Sequence, residues 1–476
     1  MDKWKIRTKI EAGFGIIVVL MLLSVTIIPA LTRTITSSSD TVDTYIRNSN
    51  GNYWAATGDN IRSAIWDLNS TGYGTVWLPS GNLTITQKIF LESDVALIGS
   101  GVNVTRIFSS QSGSFIPITV NGKQNVTLSD FTLDMNDVGS NGIYITGSST
   151  SNVLVKNVQI VRAGYQGIYC SGGHDIILDG IRIKHGSTSA AHGISTDSIY
   201  DSIISNCIIE NYDTDIDNTE DGLDIGESTN NVTIDNVIIT GGGWYDGIKF
   251  YNAKYISASN IFIDNTDNFG VKCQSDFITI DNLHITNSAD DSFWTDTTAS
   301  HLNMNNIYIY SAGDVGMLFD NVDNISLSNA EIDDSAGRGL SLGTCKNTVV
   351  NNVRSFSSGS YNYIGGGSEI IITNGIFSYG SNIGLYIESV SKFHLIGSTI
   401  EYNAGDGIDT TVGACNNYTI SNCYFKGNAK AMDLNSGDNW FLVTNCICDP
   451  GDSIDINAAL SATRRVNNSI CTLVQS

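Results

Sequence analysis

A four-residue phrase recurs along most of this chain: a glycine, an apolar residue, any residue, then another apolar residue. It reads Gly142-Ile-Tyr-Ile, Gly167-Ile-Tyr-Cys, Gly193-Ile-Ser-Thr, Gly222-Leu-Asp-Ile, Gly247-Ile-Lys-Phe and Gly270-Val-Lys-Cys. It continues as Gly316-Met-Leu-Phe, Gly339-Leu-Ser-Leu, Gly384-Leu-Tyr-Ile and Gly407-Ile-Asp-Thr. The usual interval of roughly 22 to 29 residues suits one coil of a β-solenoid. Each unit carries a second alternating run that ends in Asn, such as Val232-Thr-Ile-Asp-Asn or Phe277-Ile-Thr-Ile-Asp-Asn. Alternation with period two means strands with one inward face. Gly, Asn, Asp and Ser between short apolar runs, with only 4 prolines in the chain, mean tight turns. About a dozen coils at ~4.8 Å each are expected, and each coil contacts only its neighbours.

The formal charge is −23, with 25 Lys and Arg against 48 Asp and Glu. No basic stripe is present, which excludes nucleic acid as a partner. The acidity reads first as solubility. No cofactor is expected, and calcium is the cation that such carboxylates would suit.

Lys3, Lys5, Arg7 and Lys9 precede an apolar stretch from about Gly13 to Pro29. Its length and basic flank suit a single-pass membrane anchor with a cytoplasmic stub over residues 1–33; a cleaved signal peptide is the rival reading. Either places the remainder outside the cell, so the expected location is the cell membrane with an extracellular ectodomain. Asn69, Asn82, Asn103, Asn125, Asn231, Asn324, Asn417 and Asn467 begin Asn-x-Ser/Thr sequons. They suit an exported glycoprotein, although Asn before a strand is also good turn chemistry. Nine cysteines form an odd set. Cys170 and Cys273 fall at inward positions. Cys423 and Cys446 share a repeat position, which suits either a disulfide or a reduced stack. No Cys or His spacing suggests a metal site.

Residues 34–52 are polar and aperiodic and read as a stalk. Asp59-Asn-Ile-Arg-Ser-Ala-Ile-Trp-Asp-Leu has helical periodicity, with Ile61, Ile65 and Leu68 on one face and Asp59 as N-cap. A solenoid end exposes strand edges, so this helix is expected to cap the first coil. The solenoid with its cap is expected over 53–456, strands starting near Val76, and 457–476 as a C-terminal cap or tail. Gly74-Thr-Val-Trp-Leu-Pro-Ser-Gly and Val95-Ala-Leu-Ile-Gly-Ser-Gly then follow the helix. In this order the segments resemble the opening of the pectin-lyase-like superfamily. That resemblance implies an all-β fold, a right-handed parallel β-helix. The superfamily holds polysaccharide lyases, glycoside hydrolases, epimerases, tailspikes and proteins without known catalysis, so fold alone does not establish an activity.

Equivalent positions in successive coils stack into columns. The residue before the repeat glycine gives Gln166, His192, Asp221, Asp246, Phe269, Asp291, Val315 and Arg338. The residue two after it gives Tyr144, Tyr169, Ser195, Asp224, Lys249, Lys272, Trp294, Leu318, Ser341, Tyr386 and Asp409. Both columns are expected on one outward face. Asp221, Asp224 and Asp246 are the catalytic candidates, because crowded carboxylates split their pKa values as glycoside hydrolysis requires. His192, Lys249, Lys272, Asp291, Trp294 and Tyr169 are the substrate-binding candidates, the aromatic rings offering faces to sugars. The bland reading is that turns beside glycine attract Asp and that an outward strand is polar.

Asn218-Thr-Glu-Asp-Gly-Leu-Asp is similar to the Asn-Thr-Asp-Gly-x-Asp motif of the polygalacturonases, which implies an acid role for Asp221. Tyr245-Asp246-Gly247 matches the second Asp of that family's Asp-Asp pair. Its Gly-His-Gly is replaced by Asn268-Phe269-Gly270 and its Arg-Ile-Lys by Phe293-Trp294-Thr295. The expected function is therefore binding of an extracellular polysaccharide, with hydrolysis as its chemistry. A non-catalytic surface or adhesion protein is the alternative, and uronan lyase chemistry through Lys249 or Lys272 is the second.

Overall fold

A computed structural model describes residues 45–475 except 112–114, 139, 186–191, 212–219, 411–412, 414, 436, 451, 457–463 and 468. The basic stub and the stretch Gly13–Pro29 lie outside the described residues. Among the described residues no helix is long and apolar enough to cross a membrane.

From Tyr45 the chain forms an all-β solenoid of about sixteen turns. Every strand pairing is parallel except those of the first strand, Tyr45–Asn48, which runs antiparallel to Tyr53–Ala55 and Gly74–Trp77. The second half of the supposed stalk is thus part of the folded unit. At the other end, Arg464–Asn467 pairs with Asn439–Thr444, and Thr472–Gln475 pairs with Ser453–Ile456. The solenoid extends past Ile456.

The expected dozen turns is an undercount, and the cause is visible in the register. Tyr361 and Ala431 occupy the place that glycine holds in neighbouring coils. Counting glycine phrases skips those coils. The glycines themselves are required by close approach. A Cβ on Gly193, Gly222 or Gly247 would stand 2.5–2.7 Å from the carbonyl oxygen of the next repeat glycine, Gly222, Gly247 or Gly270. The same Cβ atoms would also meet Ile209, Ile239 or Ile263 at 2.4–2.6 Å.

Those isoleucines belong to an inward ladder, Ile183, Ile209, Ile239, Ile263, Ile285, Ile309 and Ile332, each directly paired with the next. All are buried. Ile143, Ile168, Ile194, Leu223 and Ile248 form a second buried ladder, as the alternation predicts. The Asn that ends each alternating run takes the left-handed conformation, at φ 54° in Asn236 and 55° in Asn260 and Asn282. Asn tolerates this region better than most residues. Its amide then bonds the coil before, as from Asn236 to Asn206 at 2.8 Å and from Asn282 to Asn260 at 2.8 Å. The sequon residues Asn103, Asn125, Asn231, Asn324 and Asn417 take the same conformation, so backbone geometry accounts for Asn there without glycosylation.

The helix spans Asp59–Asn69 and buries Ile61, Ala64, Ile65 and Leu68. Asp59 is not its N-cap. Gly58 holds that position, and the Asp59 carboxylate accepts hydrogen bonds from Thr86 N–H at 3.1 Å and Thr86 Oγ1 at 2.7 Å. Cys170 and Cys273 are buried in the core. Cys423 and Cys446 are free thiols, and the disulfide joins Cys448 to Cys471.

Candidate functional site

The two columns meet on one side of the solenoid. Parallel pairing puts Tyr144, Tyr169, Ser195, Asp224, Lys249, Lys272, Trp294, Leu318 and Ser341 in direct register, rung by rung. The ladder then runs through Tyr363, which the glycine pattern misses, to Tyr386 and Asp409. Asp221 and Asp246 begin adjacent strands, Asp221–Ile225 and Asp246–Thr266, and pair with each other.

The structure departs from the sequence expectation in depth. Asp221 and Asp246 do not project outward. Each is 1% exposed, beneath a layer formed by His192, Asp224, Lys249 and Lys272. The residue before the glycine sits where the strand begins, and the turn folds it against the next coil. Lys249 Nζ lies 3.4 Å from Asp221 Oδ2, and Lys272 Nζ lies 3.9 Å from Asp246 Oδ2. Lys249 thus pairs with Asp221, while Asp224 stands beside it in register.

Burial drives the electrostatics. Desolvation pushes the Asp221 carboxyl up to about 8; Lys249 opposes this, and Asp246 and Asp224 reinforce it. Asp246 is also raised by burial, against hydrogen bonds from Asn268 Nδ2 at 2.8 Å and Phe269 N–H at 3.3 Å. Lys249 loses to desolvation, but the carboxylates of Asp221 and Asp224 outweigh that and hold it above its ordinary value. Burial lowers His192. Its Nδ1 accepts the Asp221 backbone N–H at 3.1 Å, which assigns the ring proton to Nε2, on the side of Asp224 at 3.9 Å. Asp224 accepts a hydrogen bond from Ser195 Oγ at 3.2 Å. The result is a proton-holding acid, Asp221, beside a partly exposed carboxyl, Asp224.

Aromatic pairs flank this centre. Tyr169 stacks on Tyr144 at 5.3 Å and donates its hydroxyl to Asp197 at 2.6 Å. Burial, with that bond, raises the phenol to about 12. Trp294 stacks on Phe269 at 5.2 Å, and Lys272 Nζ lies 5.5 Å from both rings. Phe269, where the polygalacturonase motif would carry His, therefore builds the aromatic surface. Asp291 is one coil farther on and buried. It accepts Val315 N–H at 2.8 Å, and burial, with Asp290 and Asp314 nearby, pushes it up to about 6.

Among the described residues two groups have donor atoms close enough for a divalent cation, within 4.8 Å of one another: His192, Asp221 and Asp224, and Asp290, Asp291 and Asp314. At the first, Lys249 already supplies positive charge. Sequence reasoning missed Asn268 and Asp197, which hold Asp246 and Tyr169. Asn268 stands next to the column residue Phe269, and a third column, two residues before the glycine, would have found it, whereas Asp197 lies two residues beyond Ser195. It also missed Glu220, which is fully buried and takes a hydrogen bond from Asn211 Nδ2 at 3.1 Å.

Residues 112–215 and 315–470, more than half of the chain, match the family described as the right handed beta helix region. The chain belongs to this family. This right-handed β-helix is similar in fold to the pre-mature gene product 12 of bacteriophage phi29, at 15% identity and a TM-score of 0.56. The match covers 83% of this chain and 62% of the phage protein, so the chain spans under two thirds of that relative's length. More distant matches are an exopolygalacturonase from Thermotoga maritima (12% identity, 83% of this chain and 89% of that one, TM-score 0.34) and PfbA, a surface adhesin of Streptococcus pneumoniae (14%, 80% and 90%, 0.36). At these identities the likeness is one of fold. No curated protein sequence matches the chain.

Proposed function

We propose that this β-helix binds an extended polysaccharide along the face defined by the two columns and hydrolyses it at the Asp221–Asp224–Asp246 centre. The observation that carries this reading is the continuity of that face. A buried carboxyl pair, in which burial raises both acids, and stacked aromatic pairs occupy successive rungs of one ladder. In this reading Asp221 protonates the leaving glycosidic oxygen and Asp224, the more exposed carboxyl, activates water, while Asp246 keeps the Asp221 proton in place by like-charge repulsion. His192 orients Asp224, Lys249 and Lys272 neutralise the centre, and Tyr169, Trp294 and Asp291 contact the chain on either side.

The test is incubation of the full-length protein with uronans and neutral glycans, reading new reducing ends and the absorbance of unsaturated uronides. Reducing ends alone support hydrolysis. Both signals together mean lyase chemistry, which the protonated Lys249 disfavours as a base. Retention on a glycan column with neither signal means binding alone. That second reading, a non-catalytic surface protein, is favoured by one observation: the Asp221 and Asp246 side chains are each only 2% exposed.

We also propose that the stretch Gly13–Pro29 holds the solenoid at the outer face of a membrane and that the helix Asp59–Asn69 covers the first coil. Protease added to intact cells should then degrade the solenoid and leave a short protected fragment. Full protection of the solenoid rejects the surface location.

A further inference from the structure

Arg338 belongs to the column before the glycine, four rungs from Lys249 and roughly 19 Å along the ladder. It differs from the cations of the carboxylate centre. Among the described residues no carboxylate oxygen lies within 4 Å of its guanidinium, in a chain where acidic residues outnumber basic ones 48 to 25. Tyrosines surround it instead. Its Cζ lies 4.4 Å from the Tyr363 ring centroid and 5.1 Å from that of Tyr361. Nη1 donates to Ser341 Oγ and Nη2 to Tyr361 Oη, both at 3.3 Å. Tyr386 closes the cluster, 5.2 Å from Tyr361 and 6.0 Å from Tyr363. Glu388, on the strand of Tyr386, accepts the Tyr363 hydroxyl at 3.2 Å, and the Arg338 charge acts on Asp291 without an ion pair.

This arrangement fixes a charge without neutralising it. Ring stacking and two hydrogen bonds hold the guanidinium in one orientation, and the fork of an arginine offers five N–H donors in all. The remaining donors suit the two oxygens of a planar anion, and the half-buried tyrosine rings suit a pyranose. Resting on the reading of this face as a glycan groove, we propose that Arg338, with Ser341, Tyr361, Tyr363 and Tyr386, is a subsite for the carboxylate of an acidic sugar. The glycan would then be a uronate-containing chain lying across both the carboxylate centre and this cluster.

The test compares the full-length wild type with Arg338→Gln and Arg338→Lys in calorimetric titrations. The probes are oligogalacturonate, oligomannuronate, oligoguluronate and oligoglucuronate, their carboxyl-reduced neutral counterparts, and a heparin oligosaccharide. Arg338→Gln should weaken binding of at least one oligouronate by roughly 10- to 100-fold and leave its neutral counterpart unchanged. Arg338→Lys should fall between, because it keeps the charge and loses the fork. Thermal melts of all three proteins should agree within a few degrees, since Arg338 forms no ion pair among the described residues. Equal affinity of wild type and Arg338→Gln for every oligouronate overturns the subsite. Preference for heparin over all oligouronates overturns the carboxylate assignment. Binding of neutral glycans alone overturns the subsite and leaves the groove standing. Binding of no probe overturns both.

Discussion

Two stretches of one ladder handle charge in opposite ways. Around Asp221 and Asp246 each buried carboxyl has a lysine within 4 Å, so each of these cations sits against an acid of the same protein. Four rungs on, Arg338 faces tyrosines, and among the described residues no carboxylate oxygen lies within 4 Å of it. The backbone is the same in both places: parallel strands, one rung per coil. The difference teaches that a β-helix supplies spacing and direction, while the residue at each rung decides whether the charge there is spent internally or left for a ligand.

The largest expected effect tests why the first stretch tolerates buried carboxyls. Ile248 stands two residues from Asp246 on one strand, and both are 1% exposed. Asp246 has Asn268, the Phe269 N–H and Lys272; position 248 faces only the apolar ladder. Ile248→Asp should therefore destabilise the protein by several kcal/mol, about 3 or more, as a buried charge without partners does. Wild-type-like melting of that variant would break the comparison, because burial would then be cheap anywhere on the strand.

Next in size is chemistry. If the paired charges serve catalysis, Asp246→Asn should lower glycan cleavage by about 10²- to 10⁴-fold, while binding to oligouronates stays within a few-fold of wild type. Intact cleavage in this variant would move the centre to the status of the Arg338 stretch, a binding surface alone.

A smaller effect appears in the pH dependence of stability. The folded-state pKa of Asp221 lies at about 8, above its unfolded value near 4. Its protonated form thus contributes stability that is fully present below about pH 4 and is lost as pH rises through about 8. Asp246 and Asp291 are raised as well and act in the same direction. The melting temperature of Asp221→Asn relative to wild type should therefore rise between pH 5 and about 8. A difference that stays flat across that range would mean that Asp221 is ionised in the fold. No such slope is expected for Arg338→Gln, which sharpens the contrast between the two stretches.

The smallest effect concerns the aromatic surface between them. Trp294→Ala should weaken glycan binding by roughly 0.5 to 1.5 kcal/mol, about 2- to 12-fold, without altering the pH profile of stability. A loss of cleavage with unchanged binding would place Trp294 in the chemistry instead.

Much of this molecule is written along the chain. The repeat glycines mark where one coil must touch the carbonyl of the next, and the alternating apolar residues mark the inside. Both follow from local rules, so Ile143, Ile168, Ile194, Leu223 and Ile248 could be assigned inward, and the rungs from Tyr144 to Ser341 aligned, without coordinates. Coils in which Tyr361 or Ala431 stands in place of the repeat glycine were hidden, because a count of glycine phrases passes over them. Depth was hidden too. Period two says which face a strand residue takes, but Asp221 and Asp246 stand at strand starts, where the turn sets their direction and the neighbouring coil covers them. Whether a carboxyl is ionised or a cation already paired depends on distances between coils 22 or more residues apart. The sequence alone therefore determined the solenoid, its inward ladders and the clustering of acids with lysines. Only the tertiary structure decided which acids are buried, which cation sits among tyrosines and how Phe269 joins Trp294, because desolvation and pairing are properties of neighbours in space.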